Sequence, residues 1–332
     1  MKKFIAKINW ANVPSATYIF TVCFILFGLL NREFLTVYNL SNILVQSSIL
    51  MIVGLGVVII IISGGMDLSV GSLLTLSGCI SGSLLHSGFP LGIAVLCGIF
   101  SGVLCGFGNG IMVTKLRIPP FIATLAMMNI AAGLSNTVSE RKTIYWDPNP
   151  ILQFIGNNDL LGVPVFFIIA VIIAIIIIYL FKKSILGIYI YAIGGNEEVP
   201  RLSGINIVKW KLIFYSISGL LAGIAGILMN SRVGCADPTV GVGYEFDAAV
   251  AAIIGGNILK SGKGNLLGGI LGAITLILIK NGLNLIGLET HWQLVIIGSI
   301  LMLGMIINDV VGKRLANRSH TSLRMTDAGR IS

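Results

Sequence analysis

The stretch SGGMDLSVGS, residues 63 to 72, interrupts one of the most apolar runs in the chain, VGLGVVIIII at 53 to 62. Where a membrane helix would continue, it places Ser63, Gly64, Gly65, Asp67, Ser69 and Gly71. A carboxylate at the centre of a membrane helix costs about 2.5 to 3.5 kcal/mol on insertion scales, so Asp67 is a candidate functional-site residue. Two readings stand. In one, the helix unwinds inside the membrane, the glycines let the backbone turn, and Asp67 with Ser69 caps a half-helix that restarts near Val70. In the other, residues 63 to 71 are a cytoplasmic turn and Asp67 is an exposed cap. The following apolar stretch, Ser72 to His86, is short for a full span, which favours the break.

The surroundings fix the class. The chain has 332 residues, 55% hydrophobic and 11% charged, with a mean hydropathy of +0.96, whereas soluble domains carry about 25% charged residues. Its apolar segments have the length that crosses roughly 30 Å of hydrocarbon as a helix. Runs such as VFFIIAVIIAIIIIYLF lack the alternation of a transmembrane β-barrel strand. The expected fold is an all-α membrane protein of about ten transmembrane helices, some of them broken: roughly 16 to 30, 43 to 62, 72 to 86, 91 to 113, 119 to 138, 164 to 181, 212 to 230, 247 to 259, 266 to 283 and 292 to 311. The basic, apolar start resembles a signal peptide without a cleavage site and is read as a retained first span.

Charge orients the spans. With a cytoplasmic N-terminus, all 22 Lys and Arg except Arg32, Arg141, Lys142, Arg232 and Lys280 fall on the inner side, as expected when short cytoplasmic loops retain positive charge. Both termini are then cytoplasmic. The expected organisation is a cytoplasmic N-terminus at 1–15, a transmembrane domain at 16–311 and a cytoplasmic polar tail at 312–332. The net charge of +9 follows from topology, and nucleic-acid binding is not expected.

Chemistry-bearing motifs are few. The five cysteines show no C-x-x-C or Cys/His cluster, and they are read as packing residues. No His lies near a nucleophile at a defensible spacing. GNILKSGKGN, residues 256 to 265, resembles a phosphate-binding loop but lacks its glycine spacing, its Ser/Thr and its preceding strand. It is read as a turn anchored by Lys260 and Lys263. No metal, cofactor or ATP site is expected on this chain.

Two further features stand out. GNGIMVTKLRIPPF at 108 to 121, containing Asn109, and KNGLNLIGLETHW at 280 to 292 share an Asn-Gly pair on spans of opposite direction, a candidate inverted repeat. The loop at 182 to 211 carries Glu197, Glu198 and Arg201 at spacings that fit one short amphipathic helix. This helix is either a docking surface or a solvated connector.

SGGMDLSVGS, IPPFIATLA, IGGNEEVPRLSGI, DPTVGVGYEFDAAVAAIIGG and NGLNLIGLETHWQ, in order from about residue 38 to 310, resemble the signatures of ribose-type permease subunits of bacterial ABC sugar importers. The resemblance implies a multi-pass inner-membrane subunit that moves a monosaccharide or related small polar solute. It implies a second permease chain, identical or related, a periplasmic sugar-binding protein docking on outer loops such as 139 to 163 and 231 to 246, and a cytoplasmic ABC ATPase with two fused nucleotide-binding halves. ATP and Mg would be held by that partner. It further implies that Gly195, Asn196, Glu197, Glu198, Arg201 and Gly204 form the ATPase-coupling loop. Gly64, Gly65, Asp67, Ser69, Gly71, Asn109, Glu245 and Asp247 would flank the translocation path or its helix break. Two positions depart from the pattern: Pro200 before the loop arginine, expected to limit the coupling helix or to shift its start to Pro200, and GKG at 262 to 264 in place of glycine-arginine-glycine. The competing hypotheses are a stand-alone secondary transporter that uses Asp67 as its ion-coupling site, and a channel or receptor.

Overall fold

No Pro or charged residue interrupts the chain from Val37 to Ile62, and it forms one 26-residue helix whose start is capped by Thr36 accepting from Asn39 N. A computed structural model describes residues 15–258, 262–289, 291–300 and 302–303. The N-terminal segment 1–14, Lys260, the end of the last expected span and the tail 312–332 lie outside the described residues. The helices are Ser15–Leu30 (α1), Val37–Ile62 (α2), Val70–His86 (α3), Leu91–Thr114 (α4), Pro120–Val138 (α5), Pro150–Asn157 (α6), Val165–Lys183 (α7), Ile185–Gly195 (α8), Glu198–Leu202 (α9), Ile207–Val233 (α10), Tyr244–Ile254 (α11), Leu266–Leu285 (α12) and His291–Ile300 (α13). A two-residue hairpin, Asp159–Leu160 (β1) against Val163–Pro164 (β2), leads into α7. Among the described residues six helices, α2, α4, α5, α7, α10 and α12, are long and apolar enough to cross a membrane.

Helix ends follow local chemistry. Ser184, Asn206 and Asn265 accept from backbone N–H groups in the first turns of α8, α10 and α12. Gly234, at φ 75°, stops α10 in the left-handed conformation that glycine adopts without a Cβ penalty.

Two long helices, α2 and α10, form the centre. α2 packs on α12, α11 and α10, while α10 packs on α4, α3 and α2. Lipid offers no hydrophobic drive for helix association, so small residues that admit close backbone contact carry it. Gly98, Gly102, Gly106 and Gly110 recur every fourth residue on α4; a Cβ on Gly102 would press on Gly219 O, one on Gly106 on Tyr215 O, and one on Gly110 on Leu212. Each half has the same order: a long helix (α2 or α10), a non-helical stretch, a short helix (α3 or α11), a helix with Asn-Gly near its end (α4 or α12), and a further helix (α5 or α13). The packing is reciprocal, since the long helix of each half lies on the third and fourth elements of the other.

One expected span is cut short. The segment expected at 247 to 259 forms the 11-residue α11, about 16 Å long at the rise of an α-helix. The preceding residues, expected as part of an outer loop at 231 to 246, descend along α3 instead. Ala236 exchanges backbone hydrogen bonds with Ile144 and sits against Gly82, and Gly241 N donates to Thr75 Oγ1 at 3.0 Å and lies against Gly71. Gly82 to Gly71 is 11 residues of helix, about 16 Å of depth. The physical reason is the glycines on both sides, which let extended backbone lie flat on a helix.

Candidate functional site

α2 ends where Gly64 turns left-handed at φ 85° and Gly65 N reaches back to Ile60 O at 2.9 Å. A side chain at Gly65 would collide with the Tyr215 hydroxyl and Ile60. From Gly65 to Ser69 the chain is non-helical, and Ser63, Asp67 and Ser69 are buried. The break therefore lies inside protein, and the exposed-turn reading is set aside. Asp67 Oδ1 accepts from Ser69 N at 2.9 Å and Ser69 Oγ at 2.7 Å, and Asp67 Oδ2 accepts from Ser218 Oγ of α10 at 2.8 Å. Ser69 Oγ in turn accepts from Asn109 Nδ2 of α4 at 2.8 Å. These bonds offset the cost of burying the carboxylate.

This corrects the expected capping. Ser69 is the residue preceding α3, and its side chain caps no N–H of that helix. The Ser69 hydroxyl is occupied by Asp67 and Asn109, so the pair clamps α2–α3 to α4 and α10. Among the described residues no donor reaches Asn109 Oδ1, although that atom is buried.

Gly71 belongs to a second cluster. A Cβ there would meet Glu245 Oε2 and Gly241 O, and buried Glu245 accepts from Gly243 N at 3.2 Å. Asp247 lies apart, paired with Lys280 of α12. Thus Gly64, Gly65, Asp67, Ser69 and Asn109 form one network, Gly71 and Glu245 a neighbouring contact, and Asp247 a separate ion pair. The second Asn-Gly pair also packs: Asn281 and Asn39 exchange side-chain hydrogen bonds at 2.8 and 3.0 Å, and Gly282 lies under the Phe27 ring.

The expected coupling loop abuts the break. Gly194, at the end of α8, has no room for a Cβ because Ile62 O occupies the place, and Gly64 faces Gly194 at ordinary contact distance. Gly262 of the GKG turn packs on Gly195 N and Tyr191 O, and the Tyr191 hydroxyl donates to Gly264 O at 3.1 Å. Asn196 Oδ1 accepts from Glu198 N at 2.9 Å, α9 follows, and Gly204 ends the loop at φ 80°. α9 starts at Glu198, two residues before the expected Pro200, which is tolerated because first-turn N–H groups have no intrahelical partner. Glu197 forms an ion pair with Lys211 of α10, a largely buried lysine that needs a counter-charge. The sequence reading passed over Val199 and Leu202, which are 62% and 88% exposed on α9. Apolar residues inside NEEVPRL were the available signal.

Among the described residues no group of three His, Cys, Asp or Glu could hold a metal ion, and the five cysteines are unpaired. Non-helical backbone among membrane spans is tolerated where protein or a solute path surrounds it. A chain with two such stretches, around a hydrogen-bonded buried carboxylate, is built as a multi-pass membrane transport protein.

Residues 39–305 match the family described as branched-chain amino acid transport system / permease component. The ribose import permease protein RbsC of Escherichia coli (strain K12) is 38% identical over 290 residues, covering 84% of this chain and 88% of that protein. The D-allose transport system permease protein AlsC of the same organism is 34% identical over 298 residues, covering 89% and 91%. The fructose import permease protein FrcC of Rhizobium meliloti is 32% identical over 312 residues, covering 91% and 86%. No solved structure matches the chain. The chain belongs to this permease family, among its ribose-type ABC sugar permeases, and is a multi-pass protein of the inner membrane.

Proposed function

We propose that the chain is the permease subunit of an ATP-driven importer for a monosaccharide or a related small polar solute. The names of its relatives, which specify ribose, allose and fructose, support the sugar class. The permease works with a second permease chain, a periplasmic binding protein that delivers the solute, and a cytoplasmic ABC ATPase with two fused nucleotide-binding halves that alone binds ATP and Mg. Residues 16–311 form the membrane domain between two cytoplasmic ends, 1–15 and 312–332, and an inverted repeat relates α2–α5 to α10–α13. The shared element order, the reciprocal packing and the matching Asn109-Gly110 and Asn281-Gly282 pairs support the repeat.

The observation that carries the mechanism is the tie between α9 and the break. α9 presents Val199 and Leu202 outward, while Glu197 holds Lys211 on the same face of α10 as Tyr215 and Ser218. These positions are spaced by four and three residues, so they line one stripe, and Ser218 holds Asp67. Gly194 pressed on Ile62 adds a direct contact. When the ATPase moves α9, both contacts transmit the displacement to residues 63 to 69, and the path opens alternately outward and inward. Asn109 Oδ1 is the network atom free to accept from a passing hydroxyl. Asp67 accepts three hydrogen bonds from two serines, which argues against an ion-coupling role.

Reconstitution tests the reading. Solute accumulation in vesicles is expected only with the ATPase, ATP and binding protein together, and Val199→Ser/Leu202→Ser is expected to abolish ATPase binding without lowering thermal stability. Uptake by this chain alone, collapsed by an uncoupler, would reject it.

A further inference from the structure

A continuous groove runs along the outer face of α4 and α10. Its apolar part lies between Val103, Phe107, Leu212, Ile213 and Leu220. Through Phe107, Leu212 and Ile213 it joins a wider recess of about 670 Å³ that reaches Lys115 and Lys209. Through Asn206 and Val208 that recess meets a cavity of about 410 Å³ lined by Arg117, Arg201, Lys211 and Glu197. The basic end thus gathers five cations and one carboxylate, and the carboxylate is taken by Lys211. Lys209 lies over the Trp210 ring, 5.9 Å from its centroid, in the manner of a residue held at the membrane interface.

Arg117 supplies an independent observation. α4 closes with Leu116 N on Ile111 O and Ile118 N on Met112 O, and this stop sets Arg117 at φ 57°. Glycine occupies such positions without strain, so the arginine holds this stop at a cost in stability. Positive-inside topology accounts for a cation near this end, but not for one at a strained stop facing a cavity that continues into an apolar groove.

Dimensions agree with one leaflet. Val103 to Lys115 spans 12 residues of helix, about 18 Å, against about 15 Å for half of the hydrocarbon core.

We propose that this groove holds an anionic phospholipid of the cytoplasmic leaflet. Its phosphate sits among Lys115, Arg117, Arg201 and Lys209, and an acyl chain lies along Phe107, Leu212 and Ile213. Charge complementarity selects a headgroup of net negative charge over a zwitterionic one, whose ammonium would meet the same cations. The lipid braces the base of α10 beside the Glu197–Lys211 pair. The inference rests on the cytoplasmic placement of the α4–α5 turn and is independent of which solute the protein moves.

The test is native mass spectrometry of the full chain released from micelles containing phosphatidylglycerol and phosphatidylethanolamine. Wild-type protein is expected to retain phosphatidylglycerol preferentially, and Arg117→Gln/Arg201→Gln to lower that retention about tenfold or more. Ile213→Trp, which fills the apolar part, is expected to lower it as well. Arg117→Gly separates binding from folding, because it relieves the left-handed arginine and is expected to raise the melting temperature while losing lipid. Equal retention of both lipids, unchanged retention in the arginine variants, or displacement by inorganic phosphate alone would overturn the proposal. So would an intermolecular cross-link through Ile213→Cys, which would place a second copy of the chain in the groove.

Discussion

Ser218 donates its hydroxyl hydrogen to Asp67 Oδ2 across 2.8 Å, joining the middle of a continuous helix to the middle of a broken one. The two residues are 151 positions apart and both are buried. Removing the donor leaves a buried carboxylate oxygen unmet, which costs about 1 to 3 kcal/mol. Ser218→Ala is therefore expected to lower the melting temperature in detergent. Asp67→Ala, which also strands Ser69 and Ser218, is expected to reduce the yield of folded protein on size exclusion before any change in solute preference. Asp67→Asn keeps one acceptor for Ser69 and should fall between wild type and Asp67→Ala. A fully folded Asp67→Ala protein with altered solute choice would contradict a structural role.

Gly194→Ala and Gly204→Ala separate close packing from backbone conformation. A methyl group on Gly194 would enter the space of Ile62 O, whereas Gly204 has open space around it and only its φ of 80° to lose. Gly204→Ala is expected to cost about 1 kcal/mol, the penalty of one residue in the left-handed region, and to leave transport largely intact. Gly194→Ala must push α8 off the break, and is expected to abolish transport driven by the ATPase even where folded protein is recovered. Equal effects on transport would show that the α8 contact carries no motion.

The Glu197–Lys211 pair predicts an asymmetry. The Lys211 side chain is 11% exposed and that of Glu197 43%, so losing the acid strands a buried charge while losing the lysine leaves a carboxylate with access to water. Glu197→Gln should destabilise more than Lys211→Met, and the double variant should recover part of the loss. Thermal melts of the four proteins measure it. A larger loss for Lys211→Met would reverse the burial argument.

The break at 63 to 72 was legible because Gly-Gly-x-Asp is foreign to an apolar run, and the long spans were legible from hydropathy alone. The descent of residues 236 to 243 along α3 was not. Asp237, Pro238, Thr239 and Gly241 are the same residue types that make an exposed turn, and only Gly241 of the four is buried, so hydropathy carried no sign that the segment packs on a helix. The partner of Glu197 was hidden for a related reason: Arg201 lies four residues away in sequence, but Lys211, 14 residues on, is the buried cation that needs a counter-charge. The glycines of α4 recur visibly every fourth residue, yet their partners Gly219 and Gly223 are defined only by tertiary packing.

The second Asn-Gly pair allows a test of how buried polar contacts are held on the far side of the molecule. Asn281 of α12 and Asn39 of α2 exchange two side-chain hydrogen bonds, and Asn39 Nδ2 also donates to Phe34 O at 2.9 Å. Replacing either asparagine by leucine leaves the other amide facing an apolar group, at a cost of about 1 to 3 kcal/mol. Replacing both removes the unmet groups together, except for Phe34 O. The double variant Asn39→Leu/Asn281→Leu is therefore expected to melt above the sum of the two single losses, with Asn39→Leu the more damaging single change because it forfeits the third bond. Strict additivity in the melts would mean that the two amides do not depend on each other, and that apolar packing on α2 and α11 holds α12 in place without them.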